Sequence, residues 1–150
     1  MIKIICVGKI KEQYLKAAID EYQKRLSKYT KLEIIEVKDS KYDDKELAFR
    51  EEQERILKVI KTSDHIICLT IEGQQYSSED FAKHFENMIG QNDITFIIGG
   101  SHGIPKEIRK LANEEMSFSK LTFPHQLFRV ILLEQIYRAY RIMNNETYHK

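Results

Sequence analysis

The sequence predicts an α/β fold, in which a parallel-type sheet carries helices on both faces. Two observations support this class. Short continuous apolar runs alternate with segments of helical periodicity along the whole chain, and no internal repeat, low-complexity tract or Pro/Gly linker interrupts them. Strands that are apolar throughout are typical of parallel sheets covered on both faces. The chain has 150 residues, and residues 1–150 are interpreted as one domain.

Five strands and five helices are predicted from these patterns. Asp43 or Asp44 is expected to cap the second helix, and Ser77 or Ser78 the third. Pro105 suits the first turn of a short fourth helix, because its missing N–H costs nothing there. In chain order the predicted elements are a strand at 2–7, a helix through 14–26, a strand at 32–37, a polar mobile loop at 38–44, a helix through 47–60, a strand at 65–71, a helix through 81–89, a strand at 94–100, the short helix, a strand at 116–119 and a long helix from about 124 to 143.

Three strand ends stand out as the place for a ligand, because ligands of parallel sheets bind beyond the carboxyl ends of the strands. The third strand ends at Glu72 and Gly73, the fourth runs into the turn GGSHG at 99–103, and the fifth leads into 118–123. Glycine permits a positive φ and lets a ligand approach the backbone, but a sharp strand-to-helix turn also needs glycine without any ligand. The spacing matches neither GxGxxG nor a phosphate loop, which disfavours a standard NAD or ATP site.

Charge is unevenly distributed along the chain, although the net charge is only +1. Residues 1–31 hold eight Lys/Arg against three Asp/Glu (+5), residues 32–98 eight against fifteen (−7), and residues 99–150 eight against five (+3). Basic ends around an acidic middle are compatible with one positive face for a polyanion, whereas charge alone favours ordinary solvated faces. The Lys-rich segment at 9–25 is a candidate secondary surface for phosphate contacts.

Several classes of protein and site are not indicated. No apolar run approaches the roughly 20 residues of a membrane helix, and the N-terminal segment lacks the pattern of a signal peptide, so a cytoplasmic location is expected. Cys6 and Cys68 lie in strand-like runs and are expected to be reduced core residues. The five histidines lack metal-ligand spacing, so no metal site is predicted; His84 is expected on a helix surface and His65 at a strand start.

The C-terminal half carries a resemblance to a known family. The segments VGK, IIGGSHG, SFSKLTFPHQLFRVILLEQIYRAYRI and the terminal YHK occur in order. Together they resemble the bacterial ribosomal large-subunit pseudouridine N3-methyltransferases (RlmH), within the SPOUT methyltransferases, over essentially the full chain. The resemblance implies an α/β sheet whose C-terminal part forms a trefoil knot, although general rules for folds disfavour knots.

The resemblance also implies where a cofactor binds. S-adenosyl-L-methionine is expected in the knot, at the same three strand ends. Gly99, Gly100 and Gly103 are expected to provide close backbone approach, and apolar walls to enclose the adenine ring. Carried over to this sequence, the cofactor residues are Leu69, Gly99, Phe118, Ser119, Lys120, Leu121, Thr122 and Phe123.

Methyl transfer to N3 of a pseudouridine needs a group that accepts the N3 proton. His149, Tyr148 and His125 are the candidates, and Arg129 is expected to contact a phosphate or the base. Alternatives stay open: the tail is a frayed terminus in many domains, and His125 is equally suited to a helix-terminus role.

The implied partners are the ribosome, through its large-subunit RNA, and a second copy of the chain. In the family pattern a homodimer forms in which the tail of one subunit completes the site of the other. Phe128, Leu132, Tyr137 and Tyr140 give this modest support, because apolar residues on more than one helix face suit burial against a partner. Three other functions remain: a SPOUT methyltransferase acting on tRNA, a non-catalytic ribosome-binding protein, and a flavodoxin-like nucleotide-binding domain.

Overall fold

Strands and helices alternate along the entire chain. The structure is a computed structural model that describes residues 1–150. Its elements are β1 (Ile2–Val7), α1 (Gln13–Leu26), β2 (Leu32–Val37), α2 (Lys45–Val59), β3 (His65–Gln75), α3 (Ser78–Ile89), β4 (Ile94–Ile98), α4 (Lys106–Leu111), β5 (Glu114–Ser117) and α5 (His125–Met143).

The five strands form one sheet in the order β2-β1-β4-β3-β5, and every neighbouring pair is parallel. All five carboxyl ends therefore lie at the same edge. β1 and β4, which run through the centre, are buried along their whole length, as their unbroken apolar sequences predict. The predicted α/β class and the parallel sheet are confirmed.

Helices cover both faces of the sheet, as predicted. On one face α1, α3 and α5 bury a core of 23 residues with the strands, and on the other α2 and α4 bury a core of 9. The sequence suggested that apolar residues of α5 pack against a partner subunit. Three of them are instead buried within this chain: Leu132 is 0% exposed, Tyr137 9% and Tyr140 6%. Phe128 also packs partly buried against the larger core. These residues give no independent support for a dimer.

For two helices the sequence left two candidate capping residues each, and the structure identifies one of each pair. Asp44 accepts a hydrogen bond from the N–H of Glu46, and Ser77 accepts one from the N–H of Asp80.

The mobile loop predicted at 38–44 is held to α2 in its first half, because the N–H of Ser40 donates to Glu52 (3.0 Å). In addition, Arg55 donates to the carbonyl oxygens of Lys38 (2.9 Å) and Asp39 (3.2 Å).

β3 is longer than predicted and pairs irregularly with β5. Met116 faces both Leu69 and Gln74, so the intervening segment 70–73 loops out of the ladder. At the end of this looped-out segment, Gly73 packs directly against the β5 backbone. A Cβ at Gly73 would stand 2.6 Å from main-chain atoms of Glu115 and Met116. β5 itself begins at Glu114 and ends at Ser117, two residues earlier than predicted.

Gly73→Ala is expected to destabilise the protein by about 1–3 kcal/mol, because its methyl group clashes with backbone that cannot move aside. Gly90→Ala is the matched control, since a Cβ at Gly90 meets nothing within 4 Å and its φ of −84° suits alanine. Urea unfolding at one protein concentration measures both variants. Equal stability of the two would contradict the close packing of β3 on β5.

Several residues singled out in the sequence lie in the interior or pair within the chain. Cys6 and Cys68 are buried and free, and burial raises the pKa of each thiol to about 12. His84 lies half-buried on α3, where it stacks on Tyr76 and hydrogen-bonds Glu114 at 2.8 Å. His65, at the start of β3 as predicted, bonds the same carboxylate. None of the helices is long and apolar enough to cross a membrane.

Candidate active site

A cleft of about 1230 Å³ opens at the carboxyl edge of the sheet. Its walls come from the three strand ends that the sequence indicates: the end of β3 with its excursion, the glycine turn after β4, and the segment after β5. α2, α4 and the first turn of α5 complete it. This volume lies above the usual range for small-molecule sites.

The glycine turn is built largely by its own backbone. A Cβ at Gly99 would stand 2.4 Å from the main chain of Gly103, and Gly103 has a φ of +89°. Both glycines are therefore needed to fold the turn, whether or not a ligand binds there. Gly103 also borders open space on the cleft side. Close approach of a ligand to these glycines stays a prediction.

The segment after β5 is held in place by hydrogen bonds within it and by aromatic packing on α5. Ser119 Oγ accepts a hydrogen bond from the N–H of Leu121 (3.0 Å), and Ser119 O accepts one from Ser117 Oγ (3.0 Å). Phe118 and Phe123 both pack on Phe128 of α5, with ring centroids 5.1 and 5.9 Å away. These contacts leave Leu121 72% exposed at the mouth of the cleft.

The structure brings together nearly all of the predicted cofactor residues. Lys120 is the exception: it is exposed and does not line the cleft. Sequence reasoning missed Thr70, whose Oγ is buried in the wall without a hydrogen-bond partner. The residues on the cleft are Leu69, Gly99, Phe118, Ser119, Leu121, Thr122 and Phe123.

His125 is the predicted proton acceptor that lies on the cleft, as the first residue of α5. Its Nε2 faces the end of β1, where a Cβ on Gly8 would come within 3.6 Å of it. Burial, followed by the nearby Arg129 cation, lowers the pKa of His125 below its ordinary value. The imidazole is therefore neutral at pH 7 and able to accept a proton.

Arg129 lies one turn further along α5, but it is only 1% exposed. Its Nη1 donates to Glu36 Oε2 (2.6 Å) and its Nη2 to the carbonyl oxygen of Gly8 (3.1 Å). Both terminal nitrogens of the guanidinium are thus engaged inside the chain. The expected contact with a phosphate or base has no support in this arrangement.

The tail is folded against the far end of α5, away from the cleft. Arg138 donates to His149 Nδ1 (3.0 Å), and His149 Nε2 contacts Glu79 of α3. Tyr148 packs on Tyr137 and donates to a carboxylate of the same helix, Glu134 (3.2 Å). The structure therefore groups the two tail residues with charged partners that sequence reasoning did not single out.

The surroundings of Tyr148 favour the protonated form of its phenol. Burial, a hydrogen bond with Tyr22 and the charge of Glu134 raise the pKa of Tyr148 to about 12. At neutral pH its phenol is a hydrogen-bond donor in this conformation.

Comparison with known proteins places the chain in a family. Residues 1–149 match the family model described as "Predicted SPOUT methyltransferase". The chain is 54% identical to ribosomal RNA large subunit methyltransferase H 1 of Clostridium perfringens, with 99% of each chain covered. It is 53% identical to the putative ribosomal RNA large subunit methyltransferase H of Methanococcus maripaludis, again with 99% of each covered. At this similarity over its full length, the chain belongs to the SPOUT methyltransferases and, among them, to the large-subunit ribosomal RNA methyltransferases H.

Proposed function

We propose that this protein methylates N3 of a pseudouridine in large-subunit ribosomal RNA, with S-adenosyl-L-methionine as the methyl donor. The observation that carries the proposal is the cleft at the carboxyl edge, which joins the predicted cofactor residues to a neutral His125. The names of the full-length relatives supply the RNA substrate. Since ribosomes lie in the cytoplasm of bacteria and archaea, the proposal places the enzyme there.

The residues of the cleft fit this cofactor. Leu69, Leu121 and Phe123 offer apolar surface for the adenine ring, and the unpartnered Thr70 hydroxyl offers a polar group. The preformed turn at 118–121 keeps backbone groups at a fixed position beside them. The trefoil knot implied by the family is part of the proposal. When bound, S-adenosyl-L-methionine supplies an electrophilic methyl group on a sulfonium and leaves as a neutral thioether.

His125 is proposed to take the proton that leaves N3 as the new N–CH₃ bond forms. A neutral imidazole has the free lone pair that this step needs, and its lowered pKa keeps it in that form at pH 7. The proton then passes from the imidazolium to solvent through the open mouth of the cleft. The chain's task is to hold the base and the reacting nitrogen in line with the methyl group.

The tail is proposed to act on the cleft of a second copy, in a homodimer. α5 has 19 residues, so its two ends lie roughly 27 Å apart. The extended chain from Met143 to His149 spans at most roughly 21 Å. The backbone of the tail therefore falls short of the backbone of its own His125, and in this structure His149 is held on Arg138 and Glu79 instead. If His149 and Tyr148 contribute to methyl transfer, a partner subunit brings them.

Binding of S-adenosylhomocysteine, measured by calorimetry, tests the cofactor site. Leu121→Asp is expected to weaken binding by roughly tenfold or more, because it places a charge where the adenine ring packs. Leu111→Asp is the matched control, since Leu111 is also exposed (43%) but is an α4 residue that does not line the cleft. Equal effects of the two substitutions, or tight binding of a flavin or dinucleotide instead, would contradict this site.

A further inference from the structure

Arg129 is the largest side chain that is almost fully buried in the protein. It has no role in the methyl-transfer step proposed above. A buried guanidinium is costly unless it is paired and hydrogen-bonded. Here Glu36 at the end of β2 and the carbonyl of Gly8 after β1 provide both partners, at 2.6 and 3.1 Å. Glu36 accepts a further bond from the N–H of Ile10 (3.2 Å). Arg129 thus ties α5 to the carboxyl ends of two strands.

The same contacts set the position of His125. Positions four apart lie on one face of a helix, so Arg129 and His125 point to the same side of α5. His125 Nε2 faces Gly8, the residue whose carbonyl Arg129 holds. One position further on, Gln126 accepts a bond from the N–H of Lys11 (3.4 Å). The start of α5 is therefore fastened to the segment after β1 at two positions that follow the histidine, Gln126 and Arg129.

We infer that Arg129 is a positioning residue, which uses its ion pair with Glu36 and its bond to Gly8 to fix His125 against the wall of the cleft. This inference rests on the proposed function of His125. A direct contact with RNA phosphate would require Arg129 to leave both partners and reach solvent. Its 1% exposure disfavours that role.

The charges around His125 provide a second way to test the inference, because they change the pKa of its imidazole. Arg129, on the same helix, lowers the pKa of His125, whereas Asp39 after β2 and Glu52 of α2 raise it. Glu52 is 3% exposed. Its Oε2 accepts a hydrogen bond from the N–H of Ser40. Its Oε1 lies beside the glycine turn and has no hydrogen-bond partner. A buried cation and a buried carboxylate thus act on one imidazole in opposite directions.

Substitution of Arg129 tests the inference. Arg129→Gln is expected to lower kcat by roughly 10- to 100-fold through misplacement of His125, with S-adenosylhomocysteine affinity and KM for ribosomes nearly unchanged. Arg129→Lys keeps the charge but not the two-point geometry, so it is expected to lose most of the same activity. Lys110→Gln, at an exposed pair on α4, is the control for loss of one positive charge.

The alternative role predicts a different pattern. A phosphate contact would raise KM for ribosomes, flatten its salt dependence by about one unit in the log–log slope and leave kcat intact. That result would overturn the inference. Unchanged kinetics in Arg129→Gln would overturn it as well.

NMR titration of the His125 imidazole separates this inference from the proposed function, because it requires no methyl transfer. Arg129→Gln is expected to raise the pKa of His125, and Glu52→Gln to lower it. Glu36→Gln, which leaves Arg129 buried without its counterion, supplies a second disruption if Arg129→Gln fails to fold. Shifts of the same sign in the Arg129 and Glu52 variants, or no shift in either, would contradict the placement of His125 between these charges. If the wild type transfers no methyl group at all, the proposed function fails, and this titration still decides whether Arg129 and Glu52 flank His125.

Discussion

Replacing His125 with alanine is expected to reduce methyl transfer by roughly 10²- to 10⁴-fold, the contribution typical of a general base. Binding of S-adenosylhomocysteine should change little, because the predicted cofactor residues that line the cleft lie at the three strand ends and not on α5. Single-turnover assays on ribosomal RNA measure the chemical step, and calorimetry measures binding. His84→Gln is the control, since His84 lies on α3 outside the cleft and bonds Glu114.

The pH dependence of the rate identifies the histidine independently. The neutral imidazole is the active form, and its folded-state pKa lies below the ordinary value near 6.5. Activity should therefore be complete above that value and fall only as the pH drops through the lowered pKa. The lowered pKa also means that His125 binds a proton more readily in the unfolded chain than in the folded one. The contribution of neutral His125 to folding stability is therefore lost as the pH falls through the lowered pKa. Substantial activity in His125→Ala, with the acid limb unchanged, would exclude His125 as the base.

Mixing two inactive variants is expected to restore activity. In a dimer of His125→Ala with His149→Ala, one of the two sites combines an intact cleft from one subunit with an intact tail from the other. Random pairing at equal amounts yields hetero-dimers as half of the population, so about one quarter of wild-type activity should return. The physical reason is the length of α5, which separates the tail of each chain from its own cleft.

The control for this experiment mixes two tail variants, His149→Ala with Tyr148→Phe, and should restore nothing beyond their average. Co-expression with two affinity tags gives the mixed dimer directly. If the His125→Ala and His149→Ala mixture stays as inactive as its components, while size measurements show mixed dimers, the tail does not complete a partner's site. Full activity of His149→Ala alone would remove the tail from the chemistry altogether.

Local patterns were enough to predict most of the fold. Unbroken apolar runs identify β1 and β4, and caps such as Ser77 act on N–H groups only a few positions away. The rule that ligands bind at carboxyl strand ends, with the family resemblance, predicted the edge at which the cleft lies, and seven of the eight predicted cofactor residues line it. These features depend on neighbours in sequence or on the general geometry of parallel sheets.

Contacts between distant parts of the chain could not be predicted in this way. Glu36 and Arg129 are 93 positions apart, so nothing in either local sequence indicates that they pair. The extension of β3 through polar residues 72–75 depends on β5, which follows some 40 positions later. Thr70 is an ordinary strand residue by type, and only its environment reveals an unpartnered hydroxyl in the cleft wall.

Methyl incorporation from labelled S-adenosyl-L-methionine is the most direct test of the proposed activity. The substrates are assembled ribosomes, free large subunits and bulk tRNA from cells that lack this protein, and mass spectrometry identifies the modified nucleoside. We expect 3-methylpseudouridine in large-subunit RNA, and its loss with the His125→Ala protein. No incorporation into any RNA despite measurable cofactor binding, or incorporation into tRNA alone, would contradict the assignment.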